Sequence, residues 1–409
     1  MPRRLLLVST NYAPEHSGIG PYSTQIAEHL VGSGHEVHVL AGMPHYPSWR
    51  VDPEYRGVWR RTEQRGGATV HRRRHTVPAR QTAVRRALYE ASFLAHAGAS
   101  VPRGRFDLVL SQIPGLAGGL IGARVARRAG IPHVVVVQDL MAAGAEQSGI
   151  AGGRRVAGIA GGVEGRVLRS AALVGVVHET FRERVAAMGV PDRRIRVVPN
   201  WSHVADPSAD REETRARMGW RPDETVLLHS GNMGLKQGLE VLVETARLAE
   251  PSVRVVLLGD GNQRAALEQA GRGLDRLEFL APVSDGDFPD VLAAADALAV
   301  TQRASVLDMS IPSKLTSYFA SGRPVLGSVA PGGGTAEEVR RSGAGLLVPP
   351  EDPKALLAAL LELAADPERA EALGAAGPRY VREHLGRAAG LARIEALVTE
   401  ALVTEAPGG

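Results

Sequence analysis

The sequence predicts an α/β chain of two doubly wound domains, each a largely parallel sheet with helices on both faces. Short β-rich runs alternate with helical stretches through the first half, and the same rhythm restarts at Thr225. The length of 409 residues suits two domains of roughly 100–200 residues each. Hydrophobic residues make up 44% and charged residues 22%, enough apolar material for two cores. Aromatics are only 4%, so those cores must be built mostly from Ala, Val and Leu.

Taken in order, Leu5 to Ser9 reads as a buried strand, followed by a Gly-rich turn and a helix from about Tyr22 to Gly32. Glu36 to Ala41, Phe106 to Ser111, His133 to Gln138, Leu173 to Val177 and Ile195 to Val198 are the next strands. Asn200 to Glu224, with Pro207, Pro222 and many polar side chains, reads as the linker. The second set runs through strand Thr225 to His229, helix Gly238 to Ala249 and strand Val253 to Leu258. Strands Leu277 to Leu280, Ala297 to Thr301, Pro324 to Ser328 and Gly345 to Val348 complete it. From Asp352 the chain reads as helical, ending in a helix over about Arg387 to Glu405 and a frayed Pro-Gly-Gly tail. The expected division is 1–200, 201–385 and a C-terminal helical segment 386–409.

Composition narrows the chemistry. There is no Cys, which excludes disulfides, thiolate metal sites and a thiol nucleophile, and fits a cytoplasmic setting. The N-terminus lacks the pattern of a signal peptide. Apolar runs such as Ala171 to Val177 fall far short of the ~18 residues that span a bilayer. The expectation is a soluble or peripheral protein. The net charge is only +4, yet Arg60, Arg61, Arg65, Arg72, Arg73, Arg74, Arg80, Arg85 and Arg86 crowd one stretch. Two readings stand: a solvated basic face, or a surface for anionic lipid or a phosphorylated acceptor. No helix-turn-helix, aromatic platform or zinc-finger spacing accompanies the charge, so nucleic acid is not expected as a partner.

Open α/β sheets bind ligands beyond the carboxyl ends of their strands, which singles out three loops. Ser9 to Tyr22 carries Gly18 and Gly20 ahead of a helix N-terminus; it suits a phosphate or a sugar hydroxyl, or is a Gly-rich packing turn. Ser230 to Gly238 holds the equivalent place in the second half, with Gly231, Asn232 and Lys236; a cation beside aligned amides would neutralise a departing diphosphate. Asp308 to Ser317 gathers Asp308, Ser310, Ser313 and Lys314, either as a donor loop or as ordinary loop polarity feeding a helix cap at Ser313. Asp139 follows a very apolar run at a strand end, and His178 and Glu179 end another; Asp139 is placed to orient or deprotonate an acceptor hydroxyl, or to cap the next segment. The histidines show no metal-ligand spacing, and no structural metal is expected.

These loops resemble glycosyltransferase family four over nearly the whole chain. The opening NYAPEHSGIGPYSTQIAEHLVGSGHEVHVLAG resembles the family's strand, Gly-rich loop and helix. FRERVAAMGVPDRRIRVVPNW resembles its interdomain strand and linker, and FLAPVSDGDFPDVLAAADALAV its nucleotide-contacting segment. PSKLTSYFASGRPVLGS and EEVRRSGAGLLVPPEDP resemble its donor-holding loop, helix and strand. NYAPE, VVQDL, PNW, GNMGLKQGLE and PSKLT are similar to the branch of colanic-acid-type exopolysaccharide transferases.

The resemblance implies a GT-B fold, two Rossmann-like domains facing a central cleft, with the last helix packing back toward the first domain. It implies a retaining sugar transfer without an essential metal or a cofactor, the nucleotide sugar being a co-substrate. The first domain would take the acceptor, a lipid-linked glycan or a small molecule, and the second the GDP- or UDP-linked donor. Gly18 and Gly20 match the loop near donor phosphate and acceptor, Val283 a position facing the base, and Glu338 an acidic residue of the donor domain. Lys236 lies near the family's phosphate-binding Lys, which aligns with Gln237, and the phosphate-binding Arg corresponds to Asn232. The family's two glutamates, eight positions apart, fall on Met309 and Ser317. The resemblance then implies that Ser317 meets the ribose differently or not at all, and that Asp308, one residue from the first site, is the candidate to substitute there. Lys236 and Lys314 are expected on the leaving diphosphate, with Asp139 and His178 on the acceptor side. The alternatives are a sugar-nucleotide 2-epimerase and a non-catalytic nucleotide-sugar-binding protein.

Overall fold

The computed structural model describes residues 2–15, 18–79, 82–140, 153–201, 207–306 and 314–404. Its contacts divide the chain into two compact units, Met1–Asn200 with Ala388–Gly409, and Trp201–Arg387. Both are doubly wound.

In the N-terminal unit the apolar runs form β1 (Arg4–Val8), β2 (Glu36–Gly42), β5 (Leu108–Ile113), β6 (His133–Val137), β7 (Leu173–Val176) and β8 (Ile195–Val197). Between β2 and β5 the Arg-rich stretch forms a hairpin, β3 (Arg60–Arg65) and β4 (Ala68–Arg73). The order is β3-β4-β2-β1-β5-β6-β7-β8, and every pair is parallel except that hairpin. Helices α1 (Gly20–Gly32), α2 (Ala83–Ala99), α3 (Leu116–Ala129), α4 (Gly153–Ser170) and α5 (Glu179–Ala187) connect the strands. Leu6, Val8, Leu40 and Val109 pack with Phe93 of α2 and Ile121 of α3. A second cluster joins Val135, Val137, Val174 and Val176 to Val167 of α4 and Phe181 of α5.

The hairpin is the element that the apolar pattern does not announce. Its polar strand RRTEQR lacks an apolar stripe, and the turn is Gly66-Gly67, both at positive φ, as a tight two-residue turn requires. It also divides the basic stretch. Arg72 is fully buried, its Nε and Nη2 donating to Glu63 Oε1 at 3.1 and 3.0 Å, and its guanidinium lies over the Tyr12 and Tyr55 rings. Arg73 is buried on Ser100. The stretch is therefore not one solvated face; Arg60, Arg74 and Arg85 remain exposed, and Arg80 lies outside the described residues.

The C-terminal unit has β9 (Thr225–Asn232), β10 (Val253–Asp260), β11 (Leu277–Leu280), β12 (Ala297–Thr301), β13 (Val325–Ser328) and β14 (Gly345–Val348), all parallel, in the order β11-β10-β9-β12-β13-β14. Its helices are α6 (Arg211–Met218), α7 (Glu240–Leu248), α8 (Arg264–Ala270), α9 (Phe288–Ala294), α10 (Lys314–Ala320), α11 (Gly334–Ser342), α12 (Pro353–Ala365) and α13 (Pro367–His384). Successive strand residues point to opposite faces, and both faces are covered. Val226, Leu228, Val256, Leu258, Leu298 and Val300 pack on Tyr318 and Phe319 of α10 and Tyr380 of α13. Leu227, Val255, Leu257, Ala297 and Ala299 pack on Leu242 of α7 and Leu356 and Leu360 of α12. This two-sided burial explains why the strands read as continuous apolar runs.

The last helix, α14 (Arg387–Thr404), belongs to the N-terminal unit. It buries Leu391, Ile394, Leu397 and Val398, and it is tied by Glu395 to His29 at 2.8 Å and by Glu400 to Arg196.

Candidate active site

The C-terminal sheet reverses its winding between β9 and β12, the place where ligands of such sheets gather. The ladder between these strands pairs Ala297 with Leu227 and Leu298 with Leu228. Beyond it, the fully buried His229 fills the gap: its Nδ1 lies 3.2 Å from the Ala299 carbonyl, and its Nε2 lies 3.0 Å from Lys314 Nζ at the start of α10. Burial lowers the Lys314 ammonium from 10.5 to about 7. Burial, then the Lys314 charge, holds His229 well below the usual imidazole range. One turn along α10, the Tyr318 hydroxyl accepts from Ser230 N at 2.7 Å, and burial raises that phenol to about 12.

Gly231 follows at φ +103, in the region that favours glycine. A Cβ there would stand 3.8 Å from Lys314 Cε and Nζ, and the residue is exposed, so a ligand can approach the backbone beside that ammonium. Asn232 ends β9, exposed. Lys236 sits in a tight turn, Leu235–Gln237, before α7 begins at Glu240, and not in the helix itself. The turn is held against the end of β12: Arg303 N donates to Lys236 O at 3.0 Å, Arg303 Nε to Leu235 O at 2.8 Å, and Thr301 Oγ1 to Gln237 O at 2.7 Å. Among the described residues no carboxylate pairs with Lys236 or Lys314.

Other predicted positions are placed differently. Ser317 is buried on α10. Val283 is half-buried against the core around Trp220. Glu338, on α11, is buried and accepts from the Tyr380 hydroxyl at 2.8 Å, with Arg341 at 3.8 Å; it has a packing role in hand. Asp308, Met309, Ser310 and Ser313 lie outside the described residues.

In the N-terminal unit the corresponding reversal lies between β1 and β5. Gly18, at φ +67, leaves room for the Tyr46 ring, 3.0 Å from where its Cβ would be, and Gly20 leaves room for Glu15. Glu15 is a residue the sequence reading passed over. Its buried Oε1 accepts from the backbone N–H groups of His45 (2.8 Å) and Tyr46 (2.9 Å), while Oε2 is buried without a hydrogen-bond partner among the described residues. The His45 ring completes the chain, with Nδ1 on Met43 O and Nε2 facing the Tyr89 hydroxyl. Burial keeps His45 below the ordinary range despite Glu15 beside it. Asp139 follows β6, half-buried, with Oδ1 accepting from Leu140 N at 2.8 Å. His178 is the N-cap of α5: its Nδ1 accepts from Thr180 N at 3.2 Å, which places the neutral ring's proton on Nε2.

Among the described residues no three His, Cys, Asp or Glu side chains gather as a metal site. What the C-terminal switch point offers is positive charge and open backbone, a setting for a phosphorylated ligand.

Two doubly wound sheets in one chain, one with Lys314 beside the exposed Gly231 backbone at its switch point, define a two-unit α/β enzyme of the GT-B class. The chain belongs to the glycosyltransferases: residues 17–201 match the Glycosyl transferase 4-like domain, and residues 224–366 match Glycosyl transferases group 1. It is 31% identical to WcaI, a protein of Escherichia coli (strain K12) named as a colanic acid biosynthesis glycosyl transferase, over 78% of this chain and 81% of that one. It is 26% identical to a GDP-mannose-dependent alpha-mannosyltransferase of Mycobacterium tuberculosis, over 85% and 84%. Among solved structures, the sucrose-phosphate synthase of Thermosynechococcus elongatus shares the fold at TM-score 0.76 and 20% identity, covering 98% of this chain and 100% of that one. Anabaena HepE in complex with UDP-glucose does so at 0.69 and 16%, covering 97% and 100%.

Proposed function

We propose that the chain transfers a hexose from a GDP- or UDP-linked donor, with retention and without a metal, onto a lipid-linked glycan or a small metabolite. The observation that carries this reading is the Lys314 ammonium beside the exposed backbone of Gly231, with Lys236 on the neighbouring turn and, among the described residues, no carboxylate paired with either. A cation about 4 Å from a phosphoryl oxygen contributes about 4 kcal/mol at an effective dielectric of about 20. An ordinary hydrogen bond nets about 1 kcal/mol, so the two lysines outweigh Asn232, Ser317 and Glu338 as donor contacts. They take up the charge that develops on the leaving diphosphate. The acceptor then attacks from the face that the diphosphate leaves, and the departing phosphate takes the acceptor proton. Gly18 and Gly20 meet donor phosphate or acceptor, and Asp139 and His178 orient the acceptor. The names of the relatives support a mannose or glucose nucleotide as donor. Among the described residues of this stretch, Arg60, Arg74 and Arg85 are exposed and would meet an anionic membrane.

Met309 and Ser317, in place of the family's glutamates, favour a second reading, a nucleotide-sugar-binding protein that does not turn over. The first test is a thermal-shift panel of UDP, GDP, ADP, dTDP and their sugar conjugates. A ligand at about 100 times its dissociation constant stabilises a fold by about 2.7 kcal/mol. One nucleotide series should raise the melting temperature; a silent panel would remove both readings.

A further inference from the structure

We propose that His229 is a positioning residue for Lys314, aiming its ammonium at the donor diphosphate without cancelling its charge, so that donor binding takes up a proton. This rests on the nucleotide-sugar reading above and adds a residue and a proton linkage to it.

The argument starts from hydrogen-bond chemistry. A carbonyl only accepts, so the contact between His229 Nδ1 and Ala299 O puts the ring's proton on Nδ1. Nε2 then carries a lone pair, and the Lys314 Nζ 3.0 Å away donates to it. The ring is buried completely where the β9–β12 ladder ends, and its contact with Ala299 O sets which nitrogen faces the lysine. A carboxylate in this place would also orient the lysine, but it would neutralise it as well. A neutral imidazole fixes the direction and leaves the full charge for a ligand. Among the described residues, the groups facing the pair are the Ala299 and Asn232 backbones of β12 and β9 and the Tyr318 hydroxyl of α10, none of them anionic at neutral pH. With no counter-ion among the described residues, burial favours the neutral amine, and an arriving diphosphate favours the ammonium. Binding slightly above neutral pH must therefore draw a proton from solution.

The experiment is titration calorimetry with UDP and with GDP, slightly above neutral pH, in two buffers of different ionisation enthalpy. Wild type, His229→Leu, His229→Gln, Lys314→Met and the Leu/Met double variant are compared after melts confirm that each is folded. The inference expects buffer-dependent heats showing proton uptake in wild type and none in Lys314→Met. His229→Leu should weaken binding about tenfold, the scale of one hydrogen bond to a charged group, and should add almost nothing once Lys314 is Met. His229→Gln, whose amide oxygen can accept from the lysine, should recover most of the loss and covers the case in which the Leu variant does not fold. Equal losses from His229→Leu in both backgrounds, or identical wild-type heats in both buffers, would overturn the positioning role while leaving donor binding intact. If neither UDP nor GDP binds wild type, both the donor reading and this inference fall.

Discussion

Lys314 places an ionisable amine in a setting that penalises its charge, and the penalty has a definite pH window. Its folded-state value is about 7 against 10.5 in the unfolded chain. Between those values the unfolded chain binds more protons, so stability rises with pH across the window and the penalty is complete below it. Without nucleotide, Lys314→Met should stabilise the protein at and below neutral pH, where the burial penalty on the ammonium exceeds what its hydrogen bond to His229 returns. The gain should fade toward pH 10.5. Urea melts across that range check it; a gain independent of pH would show that the amine is charged throughout. Lys314 and Gly231 stand out in the sequence, because a lysine opening an apolar helix and a glycine closing an apolar strand are unusual at those ends. His229 does not: a lone histidine at the end of TVLLH reads as strand core. Its partner is 85 residues away, and only the adjacency of β9 and β12 brings them together.

At the scale of elements, the β3–β4 hairpin shows what charge counting misses. Apolar strands buried on both faces are readable to within a few residues of their ends. A polar edge hairpin is readable only from Gly66-Gly67, and in a run of arginines that signal is easily lost. The fold uses one of those arginines as a core residue. Arg72 is held by Glu63, Tyr12 and Tyr55 with no exposure to water. Removing one partner of a buried pair leaves the other uncompensated, at about 3–5 kcal/mol. Glu63→Ala should cost that much in equilibrium unfolding, whereas Glu54→Ala, on the more exposed Arg61, should cost less than about 1 kcal/mol. Equal, small costs would mean that Arg72 finds other partners. The β1–α1 loop makes the same point for Glu15. An acid in a Gly-rich loop reads as loop polarity, and its grip on the His45 and Tyr46 amides depends on a loop some thirty residues later.

Across the whole molecule, buried neutral histidines set the acid limit. Burial lowers His75 to about 3 and His133 to about 4, against 6.5 in the unfolded chain. The unfolded chain therefore binds more protons between those values, and stability is present above pH 6.5 and lost as pH falls toward 4 and 3. Melting temperatures should drop steeply over that interval, and His133→Gln should flatten the slope; an unchanged slope would place the acid sensitivity elsewhere. His75 and His133 act in the N-terminal unit, where His133 Nε2 pairs with Ser111, and the buried His229 adds an effect of the same sign in the C-terminal unit. Two doubly wound units were legible because parallel strands repeat a simple apolar rhythm. The donor and acceptor were not, because specificity rests on a few loop side chains and not on that rhythm.

Sugar transfer is read out by turnover with the donor that the panel identifies. The isotopically labelled donor is incubated with polyprenyl-linked glycans and, separately, with a low-molecular-mass extract, and products are followed by mass spectrometry and anomeric couplings. Labelled sugar should appear on one acceptor class with the donor's anomeric configuration, unaffected by a chelator. Lys236→Ala should slow this about 100-fold or more, as loss of an electrostatic stabiliser does. Donor epimerised without acceptor, donor bound but never consumed, or full activity in Lys236→Ala would contradict the account.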